Sequence, residues 1–128
     1  MSKILVLIVD DEPIIRMDLA DMVGDAGFEV LEAKDADEAV RLLEAHAAIR
    51  ILVTDIEMPG SMNGLKLAAA VRERWPPVVI IVTSGRIQPA TAELPSDTVF
   101  LGKPYNAAAM AAALDTAARS LPRVEVAG

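Results

Sequence analysis

The stretch Ile4-Leu5-Val6-Leu7-Ile8-Val9-Asp10-Asp11-Glu12-Pro13 decides how this chain is read. Its apolar run does not alternate with polar residues, which is the pattern of a strand buried on both faces of a parallel sheet. The run stops at three carboxylates, Asp10, Asp11 and Glu12. Pro13 then suits the first turn of a helix, where its missing N–H would have had no intrahelical partner anyway. Ile15, Leu19, Met22, Val23 and Ala26 fall on one helical face before Gly27 ends it. A strand, an acidic turn and an amphipathic helix are therefore expected in that order.

Working outward, the same alternation continues. Phe28 to Leu31 predicts a short strand, and Asp35 or Asp37 can cap a helix with Ala39, Leu42, Leu43 and Ala47 on its apolar side. Ile49 to Thr54 predicts a third strand, ending again in a carboxylate, Asp55. A Pro-Gly-Ser-Met-Asn-Gly loop leads into a helix from about Leu65 to Arg74, with Leu65, Leu67, Ala68 and Val71 apolar, and Trp75-Pro76-Pro77 stops it. Val78 to Thr83 predicts strand four, Val99 to Leu101 a short strand five, and Asn106 to Ser120 an alanine-rich closing helix. Strands alternating with helices predict an α/β doubly wound sheet with right-handed crossovers. Between strands four and five, Pro89 and Pro95 leave room in Arg86 to Thr98 for about one or two helical turns, so the fourth helix is expected to be shortened.

Composition bounds the function. With 128 residues the chain has room for one domain, and 53% hydrophobic against 24% charged residues is well outside the disordered regime. Nineteen acidic against 12 basic residues give a net charge of -7, which argues against nucleic acid or an anionic membrane as a partner. The absence of cysteine excludes disulfides, thiolate metal sites and thiol catalysis. The apolar run at Ile4 to Val9 is far too short for a signal peptide or a membrane span, so a cytoplasmic location is expected.

The polar residues gather where ligands bind in such sheets, at the carboxyl ends of the strands. Strand one delivers Asp10, Asp11 and Glu12, strand three Asp55 and Glu57, strand four Thr83 and Ser84, and strand five Lys103 and Pro104. Taken singly, each has a plainer explanation: an acidic helix entrance, a turn aspartate, a lysine after a strand. Their joint placement carries the argument. Crowded carboxylates repel one another unless a cation compensates, and oxygen donors without His or Cys favour a hard ion, Mg²⁺ or Mn²⁺.

Five ordered motifs carry a family resemblance: Val-Asp-Asp-Glu-Pro at 9–13, Thr-Asp-Ile-Glu-Met-Pro at 54–59, Asn-Gly-Leu at 63–65, Thr-Ser-Gly at 83–85 and Leu-Gly-Lys-Pro-Tyr at 101–105. The chain resembles the receiver domain of two-component response regulators over residues 4 to about 120. The resemblance implies a flavodoxin-like sheet of order 2-1-3-4-5. It implies that Asp55 accepts a phosphoryl group from a histidine kinase or histidine phosphotransfer protein in a Mg²⁺-dependent reaction. Asp11 and Asp55 would hold the ion directly, with the backbone carbonyl of Glu57 as the third protein ligand and Asp10 acting through water. Lys103 would pair with Asp55 and then with a phosphoryl oxygen, and a hydroxyl of strand four would bind another. Ser84, followed by Gly85 and Arg86, suits the family order, and Thr83 is the alternative. Phe100 holds the strand-five aromatic position that turns inward on activation, with a plain core role as the competitor, and Lys103–Pro104 would be a cis bond. The loop after Asp55 is one residue longer than the commonest family spacing.

The expected function is a phosphorylation-controlled switch that promotes its own phosphotransfer and slow autodephosphorylation and is not otherwise an enzyme. Residues 1–121 would form the receiver and 122–128 a tail, so the output would be a contact with an unidentified protein target. A monomer is expected, or at most a weak dimer, because a shortened fourth helix offers little surface for pairing. An aspartyl phosphohydrolase would want a second Asp where Glu57 stands. A flavin binder would want a phosphate loop in place of Asp10-Asp11-Glu12. A receiver that is never phosphorylated would not need the full acidic, hydroxyl and lysine set. His46, late in a helix, reads as structural or exposed, Trp75 as a partly buried cover, and the methionines at 17, 22, 58, 62 and 110 as packing residues.

Overall fold

The computed structural model describes residues 3–56, 64–85 and 98–121. Strands β1 (Leu5–Val9), β2 (Glu29–Ala33), β3 (Ile49–Asp55), β4 (Val79–Ser84) and β5 (Thr98–Gly102) pair in parallel in the order β2-β1-β3-β4-β5. Helices α1 (Pro13–Asp25), α2 (Ala36–Ala45), α3 (Gly64–Arg74) and α4 (Ala107–Arg119) cover the two faces. The segment expected to hold the shortened helix between strands four and five (residues 86–97), the loop of Glu57 (residues 57–63) and the tail (residues 122–128) lie outside the described residues.

Side chains alternate across a strand, so each continuous apolar run feeds two cores. Leu7, Val9, Leu52, Ile80 and Val82 pack under α2 and α3 with Ala39, Leu43, Leu67 and Val71. Val6, Ile8, Ile51, Val53 and Ile81 pack under α1 and α4 with Leu19, Val23, Met110 and Leu114. Burying such a side chain contributes about 1.5–3 kcal/mol, so the central strands are held from both faces. The edge strand β2 differs, with Glu29 and Glu32 turned to solvent, which discourages pairing with another chain.

Element boundaries depart from the periodicity in instructive ways. Strand β2 starts at Glu29, because Gly27 at φ 99° turns the chain and leaves Phe28 packed against the second core. Strands β3, β4 and β5 run on to Asp55, Ser84 and Gly102, since parallel neighbours supply ladder partners to polar residues as readily as to apolar ones. Asp35, not Asp37, caps α2 by accepting from the Glu38 N–H at 2.8 Å. Helix α2 ends at Ala45, which leaves Ala47 exposed, and Ala26 is an exposed cap residue beyond α1. Met22 and Met110 do pack, but Met17 is 62% exposed on the solvent side of α1, so helical periodicity misjudged it. Met58 and Met62 lie outside the described residues.

Gly64, the first residue of α3, lies against the backbone of Asp55, and its N–H donates to the Ile56 carbonyl at 3.2 Å. A Cβ there would stand 2.6 Å from the Asp55 carbonyl carbon and 2.8 Å from the Ile56 Cα, atoms that cannot swing aside. Gly64→Ala should therefore destabilise the fold by about 2–3 kcal/mol or more in urea denaturation. An unchanged midpoint would show that α3 does not rest on the end of β3.

Candidate functional site

Asp10 is the first residue past β1, yet its backbone is still tied to the sheet, its N–H donating to the Ala33 carbonyl at 3.1 Å. Its carboxylate turns back to accept from the Glu12 N–H at 2.9 Å, and only 3% of the residue is exposed. This bond, and not a side chain at the cap position Glu12, satisfies one of the free donors at the start of α1. Asp11 is half-buried beside it and Glu12 is exposed. The register of β1 with β3 sets Val9 opposite Thr54, so Asp10 and Asp55 reach the carboxyl edge of the sheet on adjacent strands. Asp55 is buried, and the Thr54 hydroxyl donates to its backbone carbonyl at 3.2 Å.

Lys103 approaches from the other side. Its backbone N–H donates to the Ser84 carbonyl at 2.8 Å, which anchors it to β4, and its ammonium donates to Asp55 Oδ2 at 2.7 Å. The Lys103–Pro104 peptide bond is cis. Burial alone would lower the Lys103 pKa, but the hydrogen bond and charge of Asp55, with Asp10 and Tyr105 behind, outweigh it and raise the value above the ordinary lysine range. Burial raises the Asp10 carboxyl, and Asp11 and Glu12 add to the shift against the Glu12 N–H and the charge of Lys103. The Tyr105 hydroxyl is also raised, chiefly by burial.

The two hydroxyls expected of strand four are both buried at its end. Thr83 is in register with Asp55, and Ser84 lies one residue further out, opposite Gly102. Phe100 is partly buried against the core under α2 and α3, where it meets the same cluster as Val82. Alternation puts Ser84, two residues after Val82, on that face as well. Gly85 lies alongside the Lys103 side chain, where a Cβ would meet the Lys103 Cβ at 3.4 Å, an ordinary packing contact. Asp10, Asp11, Asp55 and Lys103 thus share one rim, with Thr83 and Ser84 beside them, while Glu57 lies outside the described residues. His46 is exposed at the C-terminal cap of α2, and Trp75 lies at the C-terminal end of α3 beneath the Arg74 guanidinium, 4.4 Å from its ring centroid. Both belong to the opposite end of the sheet.

Three further residues belong to this rim; Gly64 and Tyr105 fall within the motifs at 63–65 and 101–105, whereas Arg16 falls in none of the five. Gly64 supports Asp55 from below, Tyr105 faces Lys103, and Arg16 donates through Nη1 to the Asp10 carbonyl at 2.8 Å. Arg16 carries a different signal, since a cation near a helix N-terminus opposes the helix dipole and calls for a separate partner. Among the described residues no three His, Cys, Asp or Glu side chains form a ready-made metal cage. An ion that keeps several waters does not require one. Carboxylates on adjacent strand ends, one raised in pKa by burial, are a donor set that fits a hard divalent cation.

The family model described as "Response regulator receiver domain" matches residues 6–115. The chain is 41% identical over 118 residues to the positive alginate biosynthesis regulatory protein of Pseudomonas aeruginosa, covering 89% of this chain and 47% of that protein. It is 34% identical over 115 residues to the transcriptional regulatory protein PdtaR of Mycobacterium tuberculosis, covering 88% of this chain and 55% of that protein. The chain therefore spans about half the length of these curated relatives. The crystal structure of a response regulator receiver protein from Sinorhizobium medicae superposes with a TM-score of 0.83 at 29% identity, covering 92% of this chain and 96% of that one. Receiver domains are phosphorylation-controlled signalling regulators and not classical enzymes; histidine kinases phosphorylate them, and the family uses Mg²⁺ at the phosphorylation site. No described helix is long and apolar enough to cross a membrane. With most of the chain matched, its sheet order reproduced and an aspartate and lysine paired at the carboxyl edge, the chain belongs to the response regulator receiver domain family.

Proposed function

We propose that Asp55 is the phosphoacceptor of this chain and that Lys103 is the group that reads its charge. The carrying observation is the 2.7 Å bond from the Lys103 ammonium to Asp55 Oδ2 on a buried rim shared with Asp10 and Asp11. A carboxylate oxygen attacks the phosphorus in line, the bond from phosphorus to the donor histidine nitrogen breaks, and its electron pair stays on the imidazole. Asp11 and Asp55, with the Glu57 carbonyl, are the direct ligands in this reading, and Asp10 acts through water. When bound, Mg²⁺ supplies charge neutralisation at the phosphoryl oxygens.

Once Asp55 is esterified it no longer offers a full carboxylate, and the Lys103 ammonium passes to a phosphoryl oxygen. Ser84 is our choice for the hydroxyl that binds another oxygen, because it lies further towards the rim than Thr83 and shares a face with Phe100. Movement of that hydroxyl then alters the packing of Phe100, which carries the signal to the α2 and α3 side of the sheet. Slow autodephosphorylation at Asp55 resets the switch. The donor is a histidine kinase or histidine phosphotransfer protein. A groove of about 550 Å³, lined by Ile15, Asp18, Leu19, Met22 and Tyr105, opens beside Lys103, and Ile14 stands 82% exposed on the same helix. These apolar groups suit a helix that must present its histidine to the rim.

Acetyl phosphate with Mg²⁺ should label the protein on Asp55 as a hydroxylamine-labile acyl phosphate, and Asp55→Asn should abolish the label; a variant labelled at the normal rate would overturn the assignment. Asp11→Asn should weaken Mg²⁺ binding by about tenfold or more. Amide NMR is the proper readout, because Trp75 is at the far end of the sheet, and an unchanged titration would remove Asp11 from the ligand set. Asp10 gives a further test. A carboxyl with a raised folded pKa contributes stability that is fully present below its unfolded pKa and is lost as pH rises through the folded pKa. At neutral pH the ionised Asp10 therefore costs stability. Asp10→Asn without Mg²⁺ should melt at a higher temperature than the parent at pH 7, with the difference shrinking towards pH 4; a lower melting point at pH 7 would contradict this.

A further inference from the structure

Arg16 stands where a cation is disfavoured, in the opening turns of α1, where the helix presents partial positive charge. Its side chain is nevertheless only 19% exposed and is held by two acceptors from different elements. Nη1 donates to the Asp10 carbonyl at 2.8 Å, and Nε donates to Glu32 Oε1 on the edge strand β2 at 3.3 Å. The backbone N–H of Arg16 donates to the Glu12 carbonyl at 2.9 Å. One residue therefore reaches both ends of the Asp10-Asp11-Glu12 turn, which the Asp10 carboxylate closes from inside through the Glu12 N–H.

The Asp10 carbonyl belongs to the planar peptide unit that also contains the nitrogen and Cα of Asp11. Gripping that oxygen fixes the plane, and with it the Asp11 nitrogen and Cα from which the side chain leaves the backbone. We propose that Arg16 is a positioning residue: anchored on Glu32, its guanidinium holds the Asp10–Asp11 peptide plane so that the Asp11 carboxylate faces Asp55, and this sets the affinity for the divalent cation. Its side chain bonds the Asp10 carbonyl and Glu32 and not the Asp11 carboxylate, so it acts on the ligand through the backbone. The Glu32 contact matters because it turns the guanidinium fork so that Nη1 meets the carbonyl. A lysine in its place has one nitrogen and cannot serve both acceptors.

This inference rests on the assignment of Asp11 as a cation ligand, and the experiment separates the two. Mg²⁺ titrations followed by amide NMR of residues 10–12, with thermal unfolding in the absence of Mg²⁺, are run on the parent, Arg16→Gln, Arg16→Lys, Glu32→Gln and Asp11→Asn. Arg16→Gln should raise the Mg²⁺ Kd about tenfold, as for loss of an outer partner of a metal ligand. Arg16→Lys should fall between it and the parent, and Glu32→Gln should raise the Kd by a smaller factor. If Arg16→Gln does not fold, Arg16→Lys and Glu32→Gln decide. Kd values within about twofold of the parent in the folded Arg16 variants, whatever their melting temperatures, overturn the role of Arg16. If Asp11→Asn loses binding in that same experiment, the site assignment stands without it. A parent that binds no Mg²⁺ overturns both.

Discussion

Placing carboxylates at the edge of a sheet buried on both faces sets the terms for the rest of this structure. Asp10 and Asp55 are nearly inaccessible, and ionised groups in such surroundings demand a counterion or they protonate. Lys103 meets that demand at Asp55. Its reach depends on the anchoring of its backbone to Ser84 and on the register that sets Asp55 beside Thr83 at the end of β4. The apolar interior that makes the sheet stable is also what makes the rim chemically tense.

Lys103 compensates Asp55 well but Asp10 poorly, as the opposite meanings of their raised pKa values show: the lysine is favoured in its charged form, the aspartate is not. The resting site is thus left with negative charge that the protein does not fully neutralise. Sites of this kind surrender folding stability for function. Here the strain is electrostatic, held by a short turn whose backbone is fastened at each end, so it is relieved by what arrives at the rim and not by collapse of the turn.

Most of the fold could be read from the sequence because uninterrupted apolar runs and amphipathic helices obey different periods, and the strand ends could be found because carboxylates break the runs abruptly. Asp10, Asp11, Asp55 and Lys103 were accordingly legible, each being the first polar residue after an apolar strand or close to it. What periodicity could not reach was anything decided by a ladder or by a contact distant in sequence. Asp55 and Ser84 lie inside strands because neighbouring backbones continue past the apolar residues. Met17 fits a hydrophobic alphabet but no core, and the bond of Arg16 to Glu32 depends on where β2 ends relative to α1. The choice between Thr83 and Ser84 stays with chemistry, since both are buried on consecutive residues.

The hydrogen bond from Gly64 to Ile56 has a consequence for how such a domain can vary. It clasps the chain on both sides of residues 57–63, so Asp55 and the helix packed against its backbone are held together by a contact that does not involve the segment between them. The entropic cost of closing a clasped loop grows only with the logarithm of its length. An extra residue in that segment is therefore inexpensive and leaves Asp55 where it is. The sequence between Ile56 and Gly64 can therefore change in length and composition while the contact between β3 and α3 is inherited unchanged.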